Sequence, residues 1–512
     1  MTGTAQAGTI DLDTGRTGIP VENPATGAIV ADVPVLSAEE VADTVRRARA
    51  AQPQWEAMGF EGRSRVLLAA RRRLLHDVER VIATIVAETG KTYEDALIAE
   101  IGYTSYAFGF WAGHASRYLA DEKVRPGNPF LLGRTGVLRH TPIGVVGVIG
   151  PWNYPLTNSF GDCIAALAAG NAVVLKPSEV TPMTSLLMRD LLRDSGLPED
   201  AFGVVTGAAA TGEALIDHVD YVMFTGSTRT GRRVAERAAR RLIPVGLELG
   251  GKDAMVVLAD ADLERAANCA VFYSMQNAGQ TCISVERVYV EDAVHDDFVA
   301  RVTEKVGALR NGPGAEPGAA EVGAITFEPQ LDIIRRHVAD AVAKGARVAV
   351  GGHTRVGPGR YFEPTVLVDV DHTMECMREE TFGPTLPVMR VRDVDEAVRL
   401  ANDSPYGLQA SVWTRDIGKG TAVARRLQAG TVSVNDAVIN YLALEMPMGG
   451  WKESGLGRRH GPDGIRKYCR QQSILVTRFG MRKELHMYPY RAARTRLLRR
   501  VVQTLWGRGP AS

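Results

Sequence analysis

Hydrophobic positions follow a helical spacing in the first part of the chain. Ser37-Ala38-Glu39-Glu40 has the form of a capping box, and Val41, Val45 and Ala48 follow it at helical intervals. A second helical region, with many arginines between its apolar positions, extends from about Gly62 to Leu97. Both stretches predict ordinary amphipathic helices.

The middle of the chain changes to short, valine-rich apolar runs separated by helical segments. Such runs are typical of strands buried on both faces, and their spacing leaves room for a crossover helix each time. They are Val145 to Ile149, Ala172 to Leu175, Tyr221 to Phe224 and Ala254 to Leu258. This pattern predicts an α/β domain with a mainly parallel sheet.

A similar alternation resumes after Cys282 and predicts a second α/β domain, which carries this cysteine. Its candidate strands are Arg287 to Val290, Arg347 to Val350, Leu386 to Val391, Gln409 to Trp413 and Thr431 to Val434. A chain of 512 residues exceeds one ordinary core, so division into two or more domains is expected.

From Arg491 onward the pattern is that of a basic amphipathic helix. One face carries Leu497, Leu498, Val501, Val502 and Leu505, and another carries most of Arg494, Arg496, Arg499 and Arg500. Such a helix can lie on an anionic membrane surface. Packing on a subunit surface, or a frayed tail, is the favoured interpretation.

Composition excludes several classes of protein. The five cysteines show no CxxC spacing, so we expect neither a disulfide framework nor a metal site, and a cytoplasmic setting fits best. The formal net charge of +1 lacks the strongly basic footprint of nucleic-acid binding. Met1 to Pro20 has no signal-peptide pattern, and no apolar run reaches the roughly 20 residues that span a bilayer.

The turn Gly279-Gln280-Thr281-Cys282-Ile283-Ser284 places a single cysteine among small residues just before a predicted strand. Taken alone, such a cysteine is usually a buried hydrophobe with an inert thiol. A nucleophilic cysteine also needs a proton acceptor and oxyanion donors. Glu248 is a candidate acceptor, because apolar and glycine neighbours raise a carboxylate pKa toward that of a general base, although a buried ion pair is an equal alternative.

Three further turns follow predicted strands, where α/β sheets bind ligands. Asn153 in the first can donate its amide to an oxyanion. Lys176 and Glu179 follow the second, and a glutamate there binds ribose hydroxyls and repels a 2′-phosphate, which favours NAD over NADP. Gly226-Ser227 in the third allows a pyrophosphate to approach a helix start, although the GxGxxG fingerprint is absent. Ordinary turn residues and a surface Lys/Glu pair are the alternatives.

Taken in order, these motifs resemble the NAD(P)-dependent aldehyde dehydrogenase superfamily, from about Val21 to about Val476. The motifs are Pro-Trp-Asn-Tyr-Pro, Lys-Pro-Ser-Glu, Phe-Thr-Gly-Ser, Leu-Glu-Leu-Gly-Gly-Lys, Gly-Gln-Thr-Cys and Glu-Glu-Thr-Phe-Gly-Pro. The resemblance implies Cys282 as nucleophile, Glu248 as general base and Asn153 as oxyanion donor. It implies a cofactor site formed by Trp152, Lys176, Ser178, Glu179, Gly226, Ser227, Glu380 and Phe382.

The resemblance also implies a three-part α/β fold. A Rossmann-type NAD-binding domain would take residues 1–121 and 142–247, with 447–467 returning to it. A catalytic domain would take 248–446, and a small β extension, 122–141 with 468–480, would join subunits into a homodimer or tetramer. The basic tail is 481–512.

The implied reaction oxidises a small-molecule aldehyde to the acid with NAD(P)⁺, through a thiohemiacetal and a thioester on Cys282. The branch most similar in appearance is actinobacterial succinate-semialdehyde dehydrogenase. The arginines expected to bind the distal carboxylate are replaced by Gly161 and Gln276, which keeps a neutral aldehyde, with Tyr154, Phe160 and the loop Val438 to Leu444 lining the tunnel, as the alternative. A Cys-His hydrolase or acyltransferase and a non-enzymatic binding protein are less favoured.

Overall fold

The computed structural model describes residues 18–507. The start of the predicted NAD-binding domain and the last five residues of the predicted tail lie outside this range. The described residues form two compact units, one of residues 18–119 and 142–470, the other of residues 120–141 and 471–507. No helix between residues 18 and 507 is long and apolar enough to cross a membrane.

The strands are numbered in chain order within the described range. They are β1 Gly18–Glu22, β2 Ile29–Pro34, β3 Glu122–Val124, β4 Arg134–Pro142, β5 Val145–Ile149, β6 Ala172–Lys176, β7 Phe202–Val204, β8 Tyr221–Thr225, β9 Val245–Glu248, β10 Ala254–Val257, β11 Arg287–Glu291, β12 Arg347–Val350, β13 Thr365–Val368, β14 Thr385–Val391, β15 Tyr406–Gly407, β16 Gln409–Trp413, β17 Thr431–Val434, β18 Trp451–Lys452, β19 Gly455–Leu456 and β20 Cys469–Thr477.

The α-helices of the same range are numbered likewise. They are α1 Ala38–Ala57, α2 Gly59–His76, α3 Val78–Thr89, α4 Tyr93–Asp95, α5 Tyr103–Tyr118, α6 Gly161–Ala168, α7 Met183–Asp194, α8 Ala209–Ile216, α9 Thr228–Arg240, α10 Leu263–Met275, α11 Asp292–Gly307, α12 Glu328–Ala343, α13 Glu375–Arg378, α14 Val394–Asn402, α15 Ile417–Ala424, α16 Gly461–Arg466 and α17 Ala492–Trp506.

The predicted capping box begins α1. The Ser37 hydroxyl accepts the Glu40 N–H at 3.3 Å, and the Glu40 carboxylate accepts the Ser37 N–H at 2.7 Å. The single long helix predicted from Gly62 to Leu97 is instead divided into separate helices. One of them, α3, ends at Gly90, whose φ of 69° is the left-handed conformation that commonly stops a helix.

The first sheet has six strands in the order β19-β9-β8-β5-β6-β7. The five neighbouring strands β9, β8, β5, β6 and β7 are parallel to one another, and β19 pairs antiparallel with β9. Strands β5, β6 and β8 confirm the predicted runs. β5 connects to its neighbour β6, and the chain returns after β7 to form β8 on the other side of β5, so the carboxyl ends of β5 and β8 form the switch point at which such sheets bind ligands.

The second sheet has seven strands in the order β12-β13-β14-β11-β10-β16-β17, all parallel to their neighbours except the edge strand β12. The run at Ala254 was predicted in the first sheet, but it forms β10 at the centre of this second sheet. Its link from β9 has only five residues, too few for the crossover that a parallel neighbour requires. The chain therefore passes from one sheet to the other directly after Glu248.

The smaller unit contains a three-stranded sheet in the order β20-β4-β3, in which β3 and β4 are antiparallel. Strands therefore occur in both segments that the sequence assigned to a β extension. β20 is exposed along most of its nine residues, and α17 has no buried residue.

Candidate active site

Cys282 lies in a tightly constrained turn between α10 and β11. Asn277, Ala278 and Gly279 have φ values of 51°, 54° and 71°, three consecutive left-handed residues, of which two carry a Cβ. Such backbone persists only where surrounding contacts hold it, and it concentrates at functional sites. At Gly279 a Cβ would lie 2.0 Å from the carbonyl oxygen of Gly383, so the turn requires glycine there.

Asn153, from the turn after β5, is buried against this constrained turn. Its side-chain amide donates to the main-chain carbonyl of Gln280 at 2.8 Å, and its own carbonyl accepts from the amide of Asn277 at 3.1 Å. A primary amide has two N–H donors, so the second one of Asn153 is left for an oxyanion at Cys282.

A buried ion pair contacts the main chain of Asn153. Lys91 Nζ donates to the Asn153 carbonyl at 2.9 Å and to Glu100 at 2.6 Å, and both side chains of the pair are fully buried. The same Glu100 carboxylate accepts the N–H groups of Leu156 and Thr157 at 2.9 and 2.8 Å. The roles of Lys91 and Glu100 could not be predicted from the sequence, because both residues lie far in sequence from every motif.

Glu248 is the last residue of β9 and is 4% exposed. Burial raises the pKa of its carboxyl from 4.5 to about 7, against the opposing effect of the Arg459 and Lys467 charges. No side chain within residues 18–507 hydrogen-bonds to this carboxylate, so the alternative of a direct ion pair does not describe it. A carboxyl that ionises near pH 7 is suited to general-base chemistry.

The thiol of Cys282 has its pKa raised to about 12, chiefly by burial, with the negative charges of Glu380, Asp253 and Glu248 adding to the rise. The positive charge of Arg459 opposes this rise in the pKa of Cys282. Cys282 and Glu248 therefore share one electrostatic environment, in which each charge affects the ionisation of the other. Within the described range no histidine hydrogen-bonds to Cys282, as a Cys-His hydrolase would require.

Arg459 is the buried cation of this environment. Its Nε and Nη2 donate to the two oxygens of Asp162 at 2.8 Å each, and Nη2 also donates to Thr225 at 2.8 Å. Its Nη1 donates to the Tyr441 hydroxyl at 3.3 Å. No role for Arg459 could be predicted, since nothing in the sequence pairs it with Asp162.

Glu380 lies against the glycines that follow Glu248. Its carboxylate accepts the N–H of Gly251 at 3.0 Å, and a Cβ on Gly250 would lie 2.6 Å from it, so the two glycines make room for this side chain. Burial and the neighbouring Glu286 raise the pKa of Glu380. Phe382 has a φ of 52°, and its ring meets that of Trp152 edge-on at 5.4 Å.

The other predicted cofactor residues lie at the carboxyl ends of β6 and β8. Lys176 Nζ lies 3.0 Å from Glu179, and Ser178 between them is buried. Ser227 is exposed and caps the 13-residue helix α9 by accepting the Thr230 N–H at 3.3 Å. The first N–H groups of that helix remain for an anion beside Gly226, so these residues fit the pyrophosphate and ribose of a dinucleotide.

The surroundings of the thiol are largely apolar and include two tyrosines. The Tyr154 hydroxyl lies 2.9 Å from Thr281, and Tyr441 packs with Cys282 and Val438 beside Ile283 and Met448. Phe160, predicted to line the tunnel, is instead fully buried in the core between Phe108 and Phe202. Gly161 is also buried, whereas Gln276 is half-buried at the end of α10.

The two mainly parallel sheets bring a cysteine, a buried carboxylate and strand and helix ends suited to a dinucleotide into one unit, an arrangement typical of a dinucleotide-dependent oxidoreductase. Residues 10–474 match the family model described as "Aldehyde dehydrogenase family". The chain belongs to this family, and it oxidises aldehydes to carboxylic acids with NAD(P)⁺.

Several relatives extend over nearly the whole chain. A protein of Mycolicibacterium smegmatis with the provisional name succinate-semialdehyde dehydrogenase [NADP(+)] is 44% identical, over 91% of this chain and 90% of its own. The 4,4'-diapolycopene aldehyde oxidase of a Methylomonas species is 40% identical, over 93% and 89%. The solved structure of a Mycobacterium tuberculosis aldehyde dehydrogenase complexed with NAD⁺ has a TM-score of 0.86 and 35% identity, covering 90% of this chain and 95% of that one.

Proposed function

We propose that Cys282 is the nucleophile, Glu248 the general base and Asn153 an oxyanion donor. The Cys282 thiol gives up its proton to water, the resulting thiolate forms a bond to the aldehyde carbon, and the carbonyl electron pair moves onto oxygen. That oxyanion accepts hydrogen bonds from the free N–H of Asn153 and from the backbone N–H of Cys282. The observation that carries the assignment is the 2.8 Å hydrogen bond that fixes Asn153 to the turn of Cys282.

NAD(P)⁺, when bound, supplies the acceptor for the hydride that leaves the substrate carbon. Lys176, Ser178 and Glu179 would hold its adenosine ribose, and Gly226 and Ser227 its pyrophosphate. Glu380, Phe382 and Trp152 would hold the nicotinamide end. Glu248 then takes a proton from water, the water oxygen attacks the thioester carbon, and the C–S bond breaks to release the acid and the Cys282 thiolate.

The role of the cysteine is tested with Cys282→Ala. We expect loss of aldehyde oxidation with unchanged NAD⁺ affinity, measured by quenching of protein fluorescence. The matched control is Cys269→Ala, which replaces a half-buried cysteine on α10 and should retain full activity. Residual turnover in Cys282→Ala above the background without enzyme would contradict the assignment.

We propose NAD as the preferred cofactor. The Glu179 carboxylate beside Lys176 suits a ribose 2′-hydroxyl and repels a 2′-phosphate, although Lys176 partly neutralises it. We expect kcat/KM to be higher with NAD⁺ than with NADP⁺, and Glu179→Ser to move the ratio toward NADP⁺ at least tenfold. Glu236→Ser, on the exposed face of α9, should leave the ratio unchanged; equal efficiency of both cofactors in the unaltered enzyme would contradict the preference.

Succinate semialdehyde is the substrate we propose first. Support comes from the 44% identity with the relative provisionally named for it and from Arg459, a buried cation whose charge reaches Cys282. A neutral, less polar aldehyde is the second candidate, because Asp162 already occupies Arg459 bidentately and because a relative is named for 4,4'-diapolycopene aldehyde. The test divides kcat/KM for succinate semialdehyde by kcat/KM for butanal. A ratio above one supports succinate semialdehyde, and a ratio below about 0.1 supports the neutral aldehyde.

We propose that the first sheet forms the NAD-binding domain, the second sheet the catalytic domain and the β extension a subunit contact. Strand β20 supports the last point, since a long exposed edge strand is a template for pairing with another chain. Sedimentation velocity should give a homodimer or tetramer. Ser473→Pro on β20 should shift the distribution toward monomer, because proline removes a donor from the strand. A monomer for the unaltered enzyme would contradict the proposal.

A further inference from the structure

The segment Arg478–Trp506, which we call the basic segment, concentrates positive charge on the smaller unit. It contains eight arginine and lysine side chains and a single carboxylate, Glu484. That carboxylate is already paired, since Arg134 Nη2 lies 3.1 Å from it. The basic segment therefore presents a strong excess of cations in a chain whose formal charge is only +1.

Large apolar side chains are exposed within the same segment. Phe479 is 80% exposed and Tyr488 75%, and on α17 both Leu497 and Trp506 are 49% exposed. The further members are Met481, Leu485, Met487, Tyr490, Val502 and Leu505. Exposed apolar area as large as this marks an interaction surface.

The basic segment is attached at defined points to the rest of its unit. The N–H of Arg478 donates to the carbonyl of Gly133 at 3.0 Å, and the Trp506 ring lies 5.3 Å from that of Phe130. On α17 the half-buried residues are Arg494, Leu498 and Val501, which recur at helical spacing. One stripe of the helix thus faces the protein, and Leu497, Val502 and Leu505 remain outside it.

We propose that the basic segment docks onto the surface of an anionic lipid bilayer. Only a partner that is both negatively charged and able to accept apolar side chains satisfies the two properties together, and an anionic membrane interface does so. Arginine can bury its aliphatic stem beside Leu497 and Trp506 while its guanidinium reaches a phosphate. The segment lies on the membrane rather than across it.

Residues 478–480 also belong to the segment proposed as the subunit contact, but a second copy of the chain fits the rest of the basic segment less well. In a twofold dimer the same patch meets itself, so the eight cations of one subunit would face those of the other. Nucleic acid supplies phosphates but no apolar medium for Leu497, Val502 and Leu505. The proposal is independent of which aldehyde the enzyme oxidises, because none of these residues belongs to the candidate active site.

The test uses the full-length enzyme and flotation with vesicles of phosphatidylcholine, with or without 30 mol% phosphatidylglycerol. We expect binding only to the anionic vesicles, weakening as salt is raised. The variant R496E/R499E/R500E should bind at least about 100-fold more weakly, since each cation near an anionic surface contributes about 1 kcal/mol, or roughly fivefold. The variant L497S/V502S/L505S should also lose binding.

The matched control is R72E/R233E/R240E, which reverses three exposed arginines on α2 and α9 and should bind vesicles as the unaltered enzyme does. Butanal oxidation should be unchanged in all three variants, which verifies that they fold. Failure of the unaltered enzyme to bind anionic vesicles at low salt would overturn the proposal. So would equal loss of binding in the control, dissociation of the oligomer by the tail substitutions without lipid, or binding to DNA but not to vesicles.

Discussion

The side-chain amide of Asn153 donates a hydrogen bond of 2.8 Å to the main-chain carbonyl of Gln280, two residues before Cys282. This contact joins the loop after β5 of the first sheet to the turn that carries the thiol in front of the second sheet. It fixes the second N–H of the amide relative to the sulfur. The position of this amide relative to the turn of Cys282 thus depends on a bond between residues 127 positions apart.

Replacement of Asn153 by alanine should reduce kcat by about 10²–10³, the usual cost of losing one oxyanion donor, with a smaller change in KM. Pre-steady-state NADH formation should slow by the same factor, because the donor acts in the attack by Cys282. Asn268→Ala on the exposed side of α10 is the control and should behave as the unaltered enzyme. A fall in cofactor affinity alone would argue against the role.

Glu248→Gln should give a burst of about one NADH per active site and then stall, because hydrolysis of the thioester lacks its base. In the unaltered enzyme the carboxylate is the active form. Its pKa of about 7 means that the base is mostly protonated at pH 6 and mostly ionised at pH 8. The hydrolytic step should therefore slow as the pH falls through 7, measured by thioester decay in quenched-flow experiments. A pH-independent decay between 6 and 8 would show that another group serves.

Gly279→Ala should destabilise the turn of Cys282 severely. The added Cβ meets the Gly383 carbonyl at 2.0 Å, and the residue also has a positive φ of 71°. Gly318→Ala is a matched control, because Gly318 has a φ of 69° and open space around it. We expect the control to lose about 1 kcal/mol in free energy of unfolding and the Gly279 variant at least about 3 kcal/mol together with its activity. Equal losses in urea denaturation would contradict the steric argument.

Arg459→Met should destabilise the fold by about 3–5 kcal/mol, because it leaves the buried Asp162 carboxylate without its bidentate partner. Removing both charges with Arg459→Met and Asp162→Leu should recover much of that loss, since no buried charge is then unpaired. Urea denaturation of the two single variants and the double variant measures the coupling. Additive losses would show that the pair does not act as a unit.

The sequence by itself determined the class of fold and the chemical parts of the site. Strand positions such as Val145–Ile149 and Gln409–Trp413 could be read from apolar runs, because buried parallel strands leave no polar alternation. Cys282, Glu248 and Asn153 could be proposed as site residues from the motifs that contain them, since turn glycines and strand ends restrict where such residues lie. The apolar pattern grouped β10 with the first sheet, because it does not show which strands are neighbours, whereas the resemblance implies a catalytic domain of residues 248–446 that includes β10.

Only the tertiary structure decided how the site is held and charged. Lys91 and Glu100 support Asn153 from a distant helical region, and Arg459 meets Asp162 across 297 residues of sequence. Ion pairs of this kind arise from the packing of segments that share no local pattern, so the spacing of residues in the sequence does not predict them. The raised pKa values of Glu248 and Cys282 have the same origin, because desolvation depends on everything packed around a group and not on its neighbours in sequence.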